Sequence, residues 1–278
     1  MKKQQDFVKI RIVPDNPLLQ FNFAELYAFR ELIYYFMWRD LKVRYKQTVL
    51  GVSWAILQPL LTMLVFSVFF GRLAGMPSDG IPYPLFTLAG IVPWTFFANS
   101  VTLASNSLVI HQDMIKKIYF PRLTLPLATI LAGLVDFIIA FLVLIIMMFV
   151  YRSYPTSNLI FLPILLLLLM ITALGVSFWF ATLNVRYRDV RYIVPFLVQL
   201  WMFITPVAYP SSLLEENFKI LYGLNPMVGV IEGFRWALLG VGPGPGPMIL
   251  ASSIAALLLF FSGLIYFNYM EAEFADVI

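Results

Sequence analysis

TLPLATILAGLVDFIIAFLVLIIMMFV, residues 124–150, carries a single charge, Asp136, in 27 positions. A bilayer core of about 30 Å needs roughly 20 mostly apolar residues per helix, and this stretch exceeds that. It therefore reads as a membrane span, and the rest of the chain can be sorted around it. Composition agrees: 61% of the 278 residues are hydrophobic and 12% charged. A water-soluble domain of this length needs more polar surface to cover its core.

Working outward, five more stretches qualify: about 51–71, 84–108, 159–183, 193–210 and 248–269. The expected fold is an all-α polytopic membrane protein with six transmembrane helices. The fifth stretch is the shortest and holds Pro195 and Pro206, which predicts a kink or partial unwinding. Pro93, before Trp94, predicts a kink in the second. Basic residues set the orientation. Nine Lys or Arg lie within residues 1–50, three in the 109–123 loop (Lys116, Lys117, Arg122) and three in the 184–192 loop (Arg186, Arg188, Arg191). Six spans put these 15 of the 19 basic residues on one side, so the positive-inside rule predicts both termini in the cytoplasm of a multi-pass protein of the cytoplasmic (inner) membrane. The opposite side keeps Arg72, Arg152, Lys219 and Arg235. The N-terminus lacks the apolar run and cleavage site of a secretory signal. The expected organisation is a cytoplasmic segment (1–50), a transmembrane domain (51–270) and a short cytoplasmic tail (271–278).

Residues 23–46, FAELYAFRELIYYFMWRDLKVRYK, interleave charges with aromatics and are too polar to span. They read as an amphipathic interfacial helix with Trp and Tyr at headgroup level; the alternative is a soluble helix packed on the cytoplasmic ends of the spans. Residues 211–247 are too long for a hairpin and too apolar for a free loop. Short re-entrant helices between spans five and six, shielded by protein, fit them, with GPGPGP at 242–247 as a non-helical linker. Asn99 and Asn184 are polar groups that need partners.

Much chemistry is missing. There is no Cys, one His (His111), no G-x-x-x-x-G-K-[ST], no H-E-x-x-H and no D-x-D. Nucleotide binding, metal-assisted transfer and proteolysis by this chain alone are not expected, and neither is a cofactor or nucleic-acid partner. Gradient-driven carriers usually bury several ionisable residues. Here Asp136 would act alone as a relay; otherwise it makes a structural hydrogen bond to a neighbouring helix or lines a wet cavity.

Four segments together resemble the ABC-2 type permeases that export polysaccharides (O-antigen, capsule and teichoic acid). They are RDLKVRYKQTVLGVSWAILQPLLTMLVFSVFFG (39–71), KKIYFPRLTLPLA (116–128), NVRYRDVRYIVPFLVQLWMFITPVAYP (184–210) and LNPMVGVIEGFRWALLG (224–240). The resemblance implies a homodimer of this subunit on two copies of a separate P-loop ATPase, which would bind the ATP and Mg²⁺. The cargo it implies is a lipid-linked polysaccharide. Asp113, Lys116, Lys117, Tyr119, Phe120 and Arg122 would then couple the loop to the ATPase, although basic loops also follow from topology and suit anionic lipid. Arg39, Lys42, Arg44, Lys46, Arg186 and Arg188 would meet the anionic lipid linkage. Trp94, Phe96, Phe97, Phe178, Trp179, Phe180, Trp201 and Phe203 are candidates to line a sugar channel; interface anchoring or plain packing is the competing reading. A drug or lipid permease of the same type and a gradient-driven carrier are the alternative functions.

Overall fold

The computed structural model describes residues 23–46, 48, 51–242, 244–271, 273 and 274. Residues 1–22 of the expected cytoplasmic segment and most of the tail lie outside the described residues. The elements run α1 (Phe23–Ala28), α2 (Arg30–Tyr45), α3 (Ser53–Phe66) continued by a π-helical stretch (Ser67–Leu73), α4 (Tyr83–Ile110), α5 (Gln112–Ile115) and α6 (Thr124–Val150). A 3₁₀ turn (Ser157–Phe161) leads into α7 (Leu162–Arg186), followed by α8 (Val190–Ile204), α9 (Glu216–Tyr222), α10 (Pro226–Leu239) and α11 (Pro247–Glu271). No strand occurs among the described residues.

Among the described residues, five helical units are long and apolar enough to cross a membrane: Ser53–Leu73, Tyr83–Ile110, Thr124–Val150, Ser157–Arg186 and Pro247–Glu271. The stretch expected as span five differs. Its helix α8 has 15 residues, about 22 Å, and falls short of the bilayer core alone. Pro206 explains the stop, because a residue before proline is pushed out of the helical region; Thr205 is extended at φ −103°, ψ 142°. Pro93 behaves otherwise: α4 runs through it unbroken.

Helix α4 is the hub, touching α3, α6, α7, α8 and α10. Lipid tails are as apolar as leucine, so packing rather than water exclusion holds such helices together, and small residues let them close up. A Cβ on Gly175 of α7 would lie 2.6 Å from the Phe260 backbone nitrogen of α11, and one on Gly263 would lie 2.6 Å from the Gly175 carbonyl. Trp179 stacks on Tyr266 across the same seam, centroids 4.6 Å apart. By contrast only Pro59 of α3 and only Val194 and Val198 of α8 are buried.

Where short re-entrant helices are expected, the structure has α9 and α10, and nearly all of α10 is buried in protein. Its backbone ends are satisfied by protein, as a short helix at membrane depth requires. Asn225 caps its start by accepting from Met227 N at 3.1 Å. Ser252 Oγ donates to Gly223 O at 2.8 Å and accepts from Gly229 N at 3.0 Å. At the far end Gly240 takes φ +72°, and Thr156 Oγ1 donates to Ala237 O at 2.8 Å.

Candidate functional site

The ends of α4, α6, α7 and α11 that carry the 111–123 and 187–189 loops form the basic end of the bundle. Helix α2 meets α6 there and runs along it. Thr129 Oγ1 of α6 donates to Asp40 at 3.5 Å, and further in the Arg44 guanidinium and the Tyr45 hydroxyl each donate to one carboxylate oxygen of Asp136. Asp136 lies twelve residues into α6, about 18 Å from its start. The helix therefore reaches along the bundle to the middle of α6. Phe36 and Leu41 are buried against the bundle while Tyr27, Tyr34, Tyr35 and Trp38 stay exposed, so the interfacial and the packed readings each describe one face of it.

Asp136 combines both structural roles expected of it. It bonds to a neighbouring helix, and it faces a cavity of about 600 Å³. Three helices each contribute one face at helical spacing: Gly51, Trp54, Ala55, Gln58 and Pro59 before and on α3; Val92, Thr95, Phe96, Asn99 and Leu103 on α4; Gly133, Asp136, Phe137 and Ala140 on α6. The Arg44–Asp136 pair closes one side. Neither partner is fully enclosed, with side chains 26% and 24% exposed.

The remaining cations do not converge with Arg44. Arg39 is held by Asp40 at 2.8 Å. Lys42 sits over the Trp38 ring at 5.4 Å and shares a separate surface groove of about 360 Å³ with Tyr35, Trp38, Arg39 and Lys46. Arg186 and Arg188 are exposed after α7.

The 111–123 loop is stapled to both ends of the chain. Arg122 N donates to Glu271 Oε1 at 2.9 Å, and its guanidinium donates to the Glu271 carbonyl. Tyr119 Oη donates to Glu25 at 3.2 Å. Asp113, Lys116, Lys117 and Tyr119 are exposed, Tyr119 by 81%. Phe120 is buried and meets Phe36 edge-on at 5.9 Å; it anchors the loop inward, so the protruding apolar side chains are Ile118 and Tyr119. His111, between α4 and α5, is half-buried with a ring nitrogen 2.7 Å from Ser107 O. Burial pushes its imidazole below the ordinary value of 6.5.

Most of the aromatic candidates serve packing within the subunit. Trp94, Phe97 and Phe178 are buried; Phe97 meets Trp201 at 5.2 Å and Phe178 meets Phe267 at 5.6 Å. Trp201 Nε1 donates to Asn225 at 2.9 Å, Trp179 Nε1 donates to Ser262 at 3.1 Å, and Phe180 packs on the core. Phe203 faces outward. Of the group only Phe96 reaches the cavity, where Trp54, not singled out from sequence, forms an exposed wall. Asn184 finds its partners, Ser105 O at 2.9 Å and Asn106 Oδ1 at 3.0 Å; Asn99 faces the cavity.

A second buried pair was read from sequence only as an outside charge. Arg235 is wholly buried; it donates to Glu232 at 3.1 Å, to Val207 O at 2.7 Å and to Phe86 O at 3.3 Å, and lies 3.6 Å over the Phe86 ring. Val207 belongs to the segment unwound after α8, so Arg235 satisfies backbone that the proline break sets free. The available signal was an i, i+3 Glu–Arg pair inside the apolar run VIEGFRWALL.

Comparison with known proteins gives the same answer as the layout. The family model for the ABC-2 type transporter matches residues 31–239, from α2 to the end of α10. The chain is 30% identical over 258 residues to the O-antigen export system permease protein RfbA of Myxococcus xanthus, covering 91% of this chain and 98% of that one. It is 31% identical over 241 residues to RfbA of Klebsiella pneumoniae, covering 86% and 92%. It is 24% identical to the polysialic acid transport protein KpsM of Escherichia coli, covering 84% and 91%. A match of this extent, running through the docked helix, the spans and the re-entrant segment, places the chain in the ABC-2 type transporter family.

Proposed function

We propose that the chain is the permease subunit of an exporter that moves a lipid-linked polysaccharide across the cytoplasmic membrane. Two copies form the pore-bearing unit, and two copies of a separate P-loop ATPase bind ATP with Mg²⁺ and supply the work. The observation that carries this is the near full-length likeness to an O-antigen export permease, 98% of whose length is covered. The basic end then faces the cytoplasm, with both termini.

The 111–123 loop suits a coupling part. Phe120, Arg122 and the Glu271 contacts fix it to the bundle, while Asp113, Lys116, Lys117 and Tyr119 stand out for an ATPase groove. A loop fixed on its inner face passes rigid-body motion on better than a free one. Lys42 and Lys46, beside Trp38 on α2, suit the phosphate of a lipid carrier at headgroup level.

The test is gentle detergent extraction of the tagged chain from its native membrane, followed by mass spectrometry. The proposal expects a P-loop ATPase in a one-to-one ratio, and chain deletion should trap polymer inside the cell. A chain that comes out alone, in a strain whose surface polymer does not depend on it, rejects the proposal.

A further inference from the structure

The cavity beside Asp136 brings paired charges, open amide and hydroxyl groups and aromatic rings to one space. Its two charges cancel, because Arg44 and Asp136 are paired. Of its other polar side chains, Tyr45 and Thr48 are hydrogen-bonded, while Gln58, Thr95 and Asn99 face it and make no side-chain hydrogen bond among the described residues. They come from two helices, with Thr95 and Asn99 one turn apart on α4 and Gln58 on α3. An amide at this depth in a membrane ordinarily finds a partner on a neighbouring helix, as Asn184 does. Two amides and a hydroxyl left open toward one space mark that space as polar in use.

The rest of the lining mixes aliphatic and small residues, among them Ala55, Pro59, Val92, Leu103 and Ala140, with three aromatic ones. Trp54 is half-exposed, and Phe96 and Phe137 pack edge to face at 5.6 Å. Ring faces beside amide and hydroxyl groups match the two surfaces of a sugar ring, its apolar C–H faces and its hydroxyl edge. An acyl chain has no use for the amides, and among the described residues no acidic or histidine cluster could hold a metal ion. The volume, about 600 Å³, lies inside the roughly 300–1,000 Å³ of small-molecule sites and takes a short run of glycosyl units.

We infer that this cavity, walled by α3, α4 and α6 and closed by the Arg44–Asp136 pair, is a glycan subsite, with Trp54 as the stacking platform and Gln58, Thr95 and Asn99 as hydrogen-bond partners. The inference rests on the polysaccharide-export reading and assigns the cargo contact to residues other than the buried aromatics.

The test uses the full chain in its native strain, with a photo-crosslinking phenylalanine derivative replacing Trp54 or Asn99, and Leu61 on the outer face of α3 as control. After irradiation, the purified chain is hydrolysed and its bound sugars quantified by mass spectrometry. The expected result is polymer-derived sugar at positions 54 and 99, about tenfold above position 61. Gln58→Leu with Asn99→Leu should leave chain abundance unchanged and cut surface polymer several-fold. Lipid adducts alone at positions 54 and 99, in cells that still export polymer, overturn the subsite and leave the export reading standing. Surface polymer that does not depend on the chain overturns both.

Discussion

Among the described residues, two ion pairs lie within the apolar body of the molecule, built on opposite plans. Glu232–Arg235, on α10, is sealed, with side chains 1–2% exposed. Arg235 also spends its donors on the Val207 and Phe86 carbonyls, and Glu232 takes hydrogen bonds from Ser211. Arg44–Asp136, between α2 and α6, is about a quarter exposed, borders a cavity and joins elements 92 residues apart. The first holds an unwound chain against α4, where motion would strand backbone groups in lipid. The second holds a peripheral helix beside open space and uncommitted amides. One pair is sealed in the bundle, and the other stands beside open space.

The largest effect that tests this contrast belongs to the sealed pair. Arg235→Met strands Glu232 and the Val207 carbonyl and should cost about 3–5 kcal/mol, read as loss of folded chain in membranes and a lower Tm. Adding Glu232→Gln should recover part of it, since no unpaired charge then remains. Next comes the rigid α7–α11 seam. The added atoms of Gly175→Val would meet the backbone of Phe260 and Leu259, and about 1–3 kcal/mol of destabilisation is expected, seen as a drop in Tm.

The pair beside the cavity should behave differently. Asp136→Asn keeps an acceptor for Arg44 or Tyr45, and its partly exposed pair is worth less, so about 1 kcal/mol of stability is expected. Its export should nonetheless fall several-fold at unchanged abundance.

The smallest effect concerns His111. Its folded-state affinity for protons is depressed below 6.5, so the unfolded chain binds a proton more readily. This contribution to stability is complete above pH 6.5 and is lost as pH falls from there toward the lower folded value. His111→Gln should flatten that part of a Tm-against-pH curve, while an unchanged slope would remove His111 as its source.

The spans were legible where an apolar run meets polar punctuation. Residues 124–150 coincide with the helix Thr124–Val150, and 84–108 and 248–269 fall within Tyr83–Ile110 and Pro247–Glu271. The end of the fifth was less so, because the limit Pro206 sets on Thr205 is local while the apolar run continues past it. A buried helix at α10 was legible from too much apolar character in too long an outside segment.

The site was harder. That Asp136 would find a neighbouring helix or a cavity followed from its depth, yet nothing periodic names Arg44 as its partner across 92 residues. Aromatic content marked Trp94, Phe97 and Phe178, which are packing, and passed over Trp54. In a membrane both faces of a helix are apolar, so hydropathy does not tell the buried face from the open one. Gln58, Thr95 and Asn99, at helical spacing on α3 and α4, mark the cavity lining, and of these only Asn99 drew notice in the sequence.

The most direct measurement is surface polymer per molecule of chain in a deletion strain carrying Arg235→Met or Asp136→Asn. The account predicts that Arg235→Met lowers chain abundance while each surviving molecule exports near the wild-type rate, and that Asp136→Asn keeps abundance and loses export per molecule. Full export per molecule from Asp136→Asn, or normal abundance with failed export from Arg235→Met, would contradict the division into a structural pair and a working pair.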